Sequence, residues 1–202
     1  MVSARLLSYI ASAAILVSAG CAASSESGSA GDAAAAGMAR PYGGMPASIP
    51  GKIEAEHFDE GPDGLVYHDL DPENQGVPYR RTTIDIEARN DASNGHGIGW
   101  TRGGEWVIYT VNVTMTGKYS IHIPLASPNV GGTFHLEADG KDVTGPIQVP
   151  NTGSWQKLQA ITIPGVELRG GVRTLRLSFD TDGPETKSVA DIDCFIFERE
   201  RA

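Results

Sequence analysis

The segment IEAE, residues 53–56, puts two carboxylates, Glu54 and Glu56, two positions apart. In an extended strand such residues project from the same side, with Cα atoms about 7 Å apart. Two chemistries suit that spacing. Hard oxygen donors hold a divalent cation when other segments add carbonyl or carboxylate oxygens. Paired carboxylates can also act as acid and base in glycoside cleavage, but then they must flank the scissile bond. Two residues of one strand do not easily stand on opposite sides of a substrate, which disfavours catalysis. A third reading leaves both as solvated strand carboxylates. No GxSxG, GxxxxGK[ST] or HExxH motif occurs, so nothing in the sequence points to an enzyme.

Two loop sequences offer aromatic surface. Trp155 lies in VPNTGSWQK, a turn that precedes a strand, and His96 lies in the glycine-spaced NDASNGHGIGW. A loop needs no tryptophan in order to fold. An indole on a glycine-rich edge is a platform on which the apolar face of a ring can lie. The alternative for Trp155 is a lid folded back onto the core. Trp100 and Trp106 flank a glycine turn at the head of the run WVIYTVNV, and at least one of them is expected to be buried.

The chain has two cysteines, Cys21 and Cys194. The N-terminus, MVSARLLSYIASAAILVSAGCAAS, has an early Arg5, a short apolar run and then small residues, the pattern of a secretory signal peptide over residues 1–20. Its end, VSAGC, resembles the lipobox of bacterial lipoproteins, although Ser18 stands where leucine is usual. The resemblance implies lipidation of Cys21 and an exported protein anchored by lipid in the bacterial cell envelope. The alternative is ordinary cleavage and secretion. Residues 21–49 read as a flexible Ala/Gly/Ser tether, which buries too little apolar surface to order itself. Cys194, in the dense apolar stretch ADIDCFIFE, is expected to pack as a small free hydrophobe.

The elements that would position these groups are strands. From about residue 52 the apolar period is two. Val107, Tyr109, Val111 and Val113 share a face, as do Tyr119, Ile121, Ile123 and Leu125, then Phe134, Leu136 and Ala138, then Leu175, Leu177 and Phe179. Turn sequences such as MTGK, ADGKD and LRGGV separate the runs. The expected fold is all-β: two antiparallel sheets packed as a β-sandwich over residues 50–200. A net charge of −9 gives no reason to approach nucleic acid or an anionic membrane, so the membrane enters only through a lipid anchor. Protein partners are not legible.

Four stretches, GKIEAEHFDEG, VYHDLDPENQGVPYR, DIEARNDASNGHGIGWTRGGEWVIYTVNV and GGTFHLEADGKDVTGPIQVPNTGSWQ, with a closing DIDCFIF, resemble family 6 carbohydrate-binding modules. The resemblance covers nearly all of residues 52–199. It implies a jelly-roll sandwich that binds β-linked polysaccharide without catalysis, in a loop cleft where aromatic rings sandwich one sugar. Carried over by motif, the cleft residues are Trp155, His96 in place of the usual tyrosine, and Asp191 in place of an asparagine. An ionised aspartate accepts hydrogen bonds but cannot donate them. The resemblance also implies a structural Ca2+ held by Glu54, Glu56, a backbone carbonyl near Arg80, and Asp193. It further implies a second site on a concave sheet face using Glu137, with an aromatic partner expected near Arg102. The competing reading is a structural or interaction lipoprotein that has kept the sandwich and lost the sugar.

Overall fold

The computed structural model describes residues 38–201, so the expected signal peptide, Cys21 and the first part of the expected tether lie outside the described residues. Fourteen strands follow a short 3-10 turn at Tyr42–Gly44: β1 (Ala47–Ile49), β2 (Gly51–Glu54), β3 (Tyr67–His68), β4 (Ile86–Ala88), β5 (His96–Ile98), β6 (Trp106–Val113), β7 (Gly117–Ala126), β8 (Thr133–Ala138), β9 (Lys141–Asp142), β10 (Ile147–Gln148), β11 (Gln159–Leu168), β12 (Gly171–Thr181), β13 (Asp191–Ile192) and β14 (Cys194–Arg199). The first sheet runs β1-β6-β12-β8-β10, with β3 also on β6 and β9 also on β8. The second runs β2-β14-β7-β13-β5-β4, with β11 also on β7.

The sandwich follows from the alternation. Val107, Tyr109, Val111 and Val113 of β6 turn inward, opposite Tyr119, Ile121, Ile123 and Leu125 of β7, and all eight are buried. Tyr109 of the first sheet meets Phe195 of the second edge to face, with centroids 5.9 Å apart. Phe134, Leu136, Leu175, Leu177 and Phe179 complete the same core. Ala138 is only partly buried, at the end of its strand. Cys194 is buried and free.

Two expectations change. Between the strands described, pairing is antiparallel except at β1, which runs parallel to β6 with Ala47 beside Val111 and Ile49 beside Val113. The fold also begins before residue 50. Arg40 and Glu60 exchange backbone hydrogen bonds of 3.0 and 2.8 Å, Tyr42 stacks on His57 at 4.0 Å, and Ile49 is fully buried. The tether expected to reach residue 49 therefore gives way to structure at Arg40. Its last part, RPYGGMPASI, hides two anchors, Tyr42 and Ile49, in a composition that reads as linker.

Candidate functional site

Loops at one end of the sandwich enclose a cleft of about 690 Å³ lined by Trp100, Trp155, Glu87, Asp191, Gln156 and Lys187 among others. Trp100 follows the buried Gly99 and has φ +49°. The left-handed region is rarely populated by bulky residues and is found at functional sites. Strand alternation from Ile98, which is buried, would turn Trp100 inward; this backbone conformation leaves it 42% exposed instead. The next residue is pinned. Thr101 exchanges side-chain hydrogen bonds with Ala190, donating to its carbonyl at 2.6 Å and accepting from its N–H at 3.0 Å.

Trp155 is half-buried and lines the same cleft; it is not a lid sealed into the core. Its loop is held at both ends by two residues the sequence reading passed over. The Arg89 guanidinium, almost wholly buried, donates to the Trp155 carbonyl at 2.6 Å. It also donates to both Asp91 oxygens at 3.0 Å, to Glu87, and to Asp191 Oδ2 at 3.1 Å. All five of its N–H donors are thereby engaged. Asp91 Oδ2 in turn accepts from the Leu158 N–H at 3.1 Å. Asp191 is buried on β13, and burial, then the neighbouring Glu87 carboxylate, push its pKa up to about 8. A carboxylic acid that keeps its proton near neutrality can donate as well as accept, which offsets the loss of the asparagine amide.

A second acidic group supports the cleft from below. Glu105 accepts from the Arg102 N–H at 2.9 Å and the Leu70 N–H at 3.3 Å, fixing two loops that bring Asp71 and Arg102 to the cleft. Burial, then Asp69 and Asp85 nearby, raises Glu105 to about 7. Burial likewise raises Asp85 to about 6.

His96 is not part of the cleft. Its ring lies 4.2 Å from Tyr79, whose hydroxyl is 2.9 Å from His57 Nε2, and His57 stacks on Tyr42. Four rings from four chain segments thus pack together around His96, outside the cleft lining. Trp100 is the aromatic that accompanies Trp155. The expectation that Trp100 or Trp106 is in the core also fails, since Trp106 is only partly buried and faces outward from β6.

Of the two carboxylates of the IEAE segment, Glu54 comes close to Asp193 beside the C-terminal strand. Glu54, Asp193 and Cys194 can each turn a donor atom to within 4.8 Å of the others. Ser93 bridges the two carboxylates, its hydroxyl 2.6 Å from Glu54 Oε2 and 3.2 Å from Asp193 Oδ1. Glu56 lies outside that close group, fully buried, with Oε1 on Asn94 and Oε2 lacking any partner. An orphaned buried carboxylate oxygen is costly unless a cation or proton meets it. Burial pushes the Cys194 thiol up to about 12, so the hard carboxylates are the donors this cluster offers. Arg80 contributes its side chain: its guanidinium donates to the carbonyls of Glu56 at 2.9 Å and Phe58 at 2.6 Å.

Glu137 lies on the outer face of β8, 3.3 Å from His135 and opposite Arg176 of β12. Its aromatic neighbour on that face is not near Arg102. It is Trp106, and the Arg176 guanidinium lies 4.4 Å over its ring. A larger groove, about 790 Å³, opens beside Lys118, Lys141, Arg169 and Arg173. It has no aromatic lining and so offers no stacking face for a pyranose.

These features have counterparts in known proteins. The chain is 31% identical over 71 residues to the β-agarase AgaA of Microbulbifer thermotolerans, an alignment that spans 35% of this chain and 16% of the agarase. It is 31% identical over 86 residues to the clotting factor G alpha subunit of Tachypleus tridentatus, across 42% of this chain and 13% of that subunit. The chain thus spans a small fraction of the length of these relatives. Among solved structures, a β-1,3-glucan-binding family 6 module from Bacillus halodurans superposes with a TM-score of 0.57 at 26% identity, covering 76% of this chain and 99% of the module. The fold is shared with the module of Cellvibrio mixtus lichenase 5A in complex with cellotriose, at TM-score 0.55 and 22% identity over 76% of this chain and 99% of that one. The model of the carbohydrate binding module (family 6) matches residues 75–199. That stretch contains Glu87, Arg89, both cleft tryptophans and Asp191, and with it the chain belongs to the non-catalytic family 6 carbohydrate-binding modules.

Proposed function

We propose that this module holds a neutral β-linked glucan, one pyranose at a time, in the cleft that Trp100 and Trp155 share. The observation that carries this reading is the presence of two indoles, from segments 55 residues apart, on one cleft with a carboxyl floor. A pyranose has apolar C–H faces and a polar rim. Indoles cover the faces, while Gln156, Glu87 and Asp191 meet the hydroxyls. If each indole removes about 100 Å² of apolar surface from water, burial contributes about 2.5 kcal/mol per ring. Orientational and ordering costs subtract from the sum, which leaves affinities on the order of micromolar to millimolar. The relatives described as binding β-1,3-glucan and cellotriose support the ligand class. Affinity electrophoresis on β-glucan, xylan, agarose and chitin tests it. Retardation on at least one neutral glycan, abolished by Trp155→Ala, is expected; no retardation on any would favour the interaction lipoprotein instead.

The residues around Glu54 suit a structural Ca2+. Glu54 and Asp193 would hold it, with Glu56 turned to it through its orphaned oxygen. The ion would clip β2 to β14, whose register already sets Glu54 beside Cys194. We also place the protein on a lipidated Cys21 in the cell envelope. The composition of the tether supports this, and a shift to the detergent phase that Cys21→Ala abolishes would test it.

The outer face of the first sheet, with Trp106 and Glu137, is a second and weaker reading. Arg176 covers the indole there, so a sugar would have to displace a guanidinium before it could stack.

A further inference from the structure

The loop between β4 and β5 carries chemistry that the sugar cleft does not use. Asn94 precedes Gly95, the one Asn–Gly pair in the sequence, and Asn94 is exposed. Gly95 has φ +87°, a left-handed conformation that glycine adopts freely. The nearest atom to where its Cβ would stand is the Arg89 carbonyl oxygen, at 3.9 Å, so little crowds the glycine. Its N–H meets the Ala92 carbonyl only at 3.3 Å, beyond the usual range of such bonds. The Asn94 side chain is engaged at both ends. Its Nδ2 donates to Glu56 Oε1, and its Oδ1 accepts the His96 N–H at 3.1 Å.

We propose that Asn94 is a site of spontaneous deamidation in the folded protein, and that the change takes from the buried Glu56 carboxyl its amide donor. The Gly95 nitrogen attacks Asn94 Cγ. An N–C bond forms, the Cγ–Nδ2 bond breaks, and ammonia leaves with the proton that the glycine nitrogen gives up. Water then opens the cyclic imide. Opening at Cγ yields aspartate; opening at the main-chain carbonyl carbon yields isoaspartate, with the chain rerouted through the side chain. Nothing is oxidised or reduced. Nucleophile and electrophile sit in adjacent residues, which removes much of the entropic cost of their meeting. The His96 N–H is aimed at the oxygen on which negative charge develops during the attack. In either product an acceptor replaces the donor that faced Glu56. That side chain is fully buried and its Oε2 already lacks a partner, so the loss is costly. The same loop holds Asp193 Oδ1 through the Ser93 N–H at 3.0 Å and Glu54 Oε2 through the Ser93 hydroxyl. Deamidation therefore loosens the β4–β5 loop from β2 and from Asp193.

The full chain, held folded in warm, mildly alkaline buffer, is sampled over days by peptide mass mapping and by isoaspartyl methyltransferase labelling. The peptide holding residue 94 is expected to gain the deamidation mass and to take the label, at a rate within about tenfold of the same chain unfolded in urea. The other asparagine peptides should stay unchanged. Asn94→Gln keeps the amide on a longer side chain that closes the ring far more slowly, and it should abolish the gain. In chelator, which takes any bound cation out of the comparison, Asn94→Asp should melt at least about 5 °C below the wild type. Protection of the folded chain by more than about tenfold, or a gain that persists in Asn94→Gln, would overturn the site. A melt of Asn94→Asp equal to that of the wild type would overturn its effect on Glu56.

Discussion

The carbonyl of Trp155 is held by the guanidinium of Arg89, 2.6 Å away and buried beneath the cleft. Because Arg89 sits just after β4 and Asp191 lies on β13, one side chain ties the Trp155 loop to the second sheet. Lysine in its place keeps the charge but offers three donors in place of five, without the planar fork. Arg89→Lys should therefore cost about 2–3 kcal/mol of stability, since carboxylates in a buried cluster lose partners. It should also weaken glycan binding more than tenfold. Urea denaturation and glycan titration of the folded variant read the two effects separately; unchanged affinity would remove Arg89 from the role of positioning Trp155.

The two cleft indoles should be of comparable weight. Trp100→Ala and Trp155→Ala are each expected to lower affinity about 10- to 50-fold, the equivalent of one stacked face. His96→Ala, whose ring is spent on Tyr79, should change it less than threefold. Retardation in glycan gels ranks the three variants. The reverse order would restore the motif-based assignment of His96.

Removing a structural cation should loosen β2 from β14. An ion present at about 100 times its dissociation constant adds about 2.7 kcal/mol, or roughly 5–10 °C in melting temperature for a domain of this size. A chelator should lower the wild-type melt by that amount and leave a Glu54→Gln/Asp193→Asn variant unmoved. A wild-type melt indifferent to chelator and to added Ca2+ would remove the site.

Glu105 makes stability fall toward alkaline pH. Its pKa is raised from 4.5 to about 7 in the folded chain, so folding retains a proton that the unfolded chain releases. The associated stability is complete below pH 4.5 and is lost as pH climbs to about 7, by at most about 3 kcal/mol. Asp85, raised from 3.8 to about 6, acts in the same sense over a lower window. Melts with saturating Ca2+ should therefore fall between about pH 5 and 8, and Glu105→Gln should flatten the slope even if its own melt starts lower. A slope unchanged in that variant would contradict the assignment.

The sandwich was legible because alternation is local. Val107, Tyr109 and Val111 state their own face, and the same parity places Trp106 outward, a reading the sequence supported but did not receive. Glu54 of IEAE was matched to Asp193 because motif order carries it there, whereas Glu56 lies outside that close group. Trp100 was hidden by a single backbone torsion that reverses the parity set by Ile98. Arg89 was hidden for another reason. Its partners lie 66 and 102 positions away, and no period or spacing announces a contact of that range. His96 was misplaced because its ring partner Tyr79 comes from a distant segment, and Tyr42, which ends the same stack, comes from the segment read as tether.

Trp155 and Trp100 are mounted on separate loops, yet both mounts lead to the same place: one through Arg89, the other through Thr101 to Ala190, next to Asp191. The gauge of the slot is thus set at its root, before any ligand arrives. A thicker or branched chain could not spread the jaws without uprooting a caged cation, so such a chain should be turned away at the entrance and not accommodated slowly.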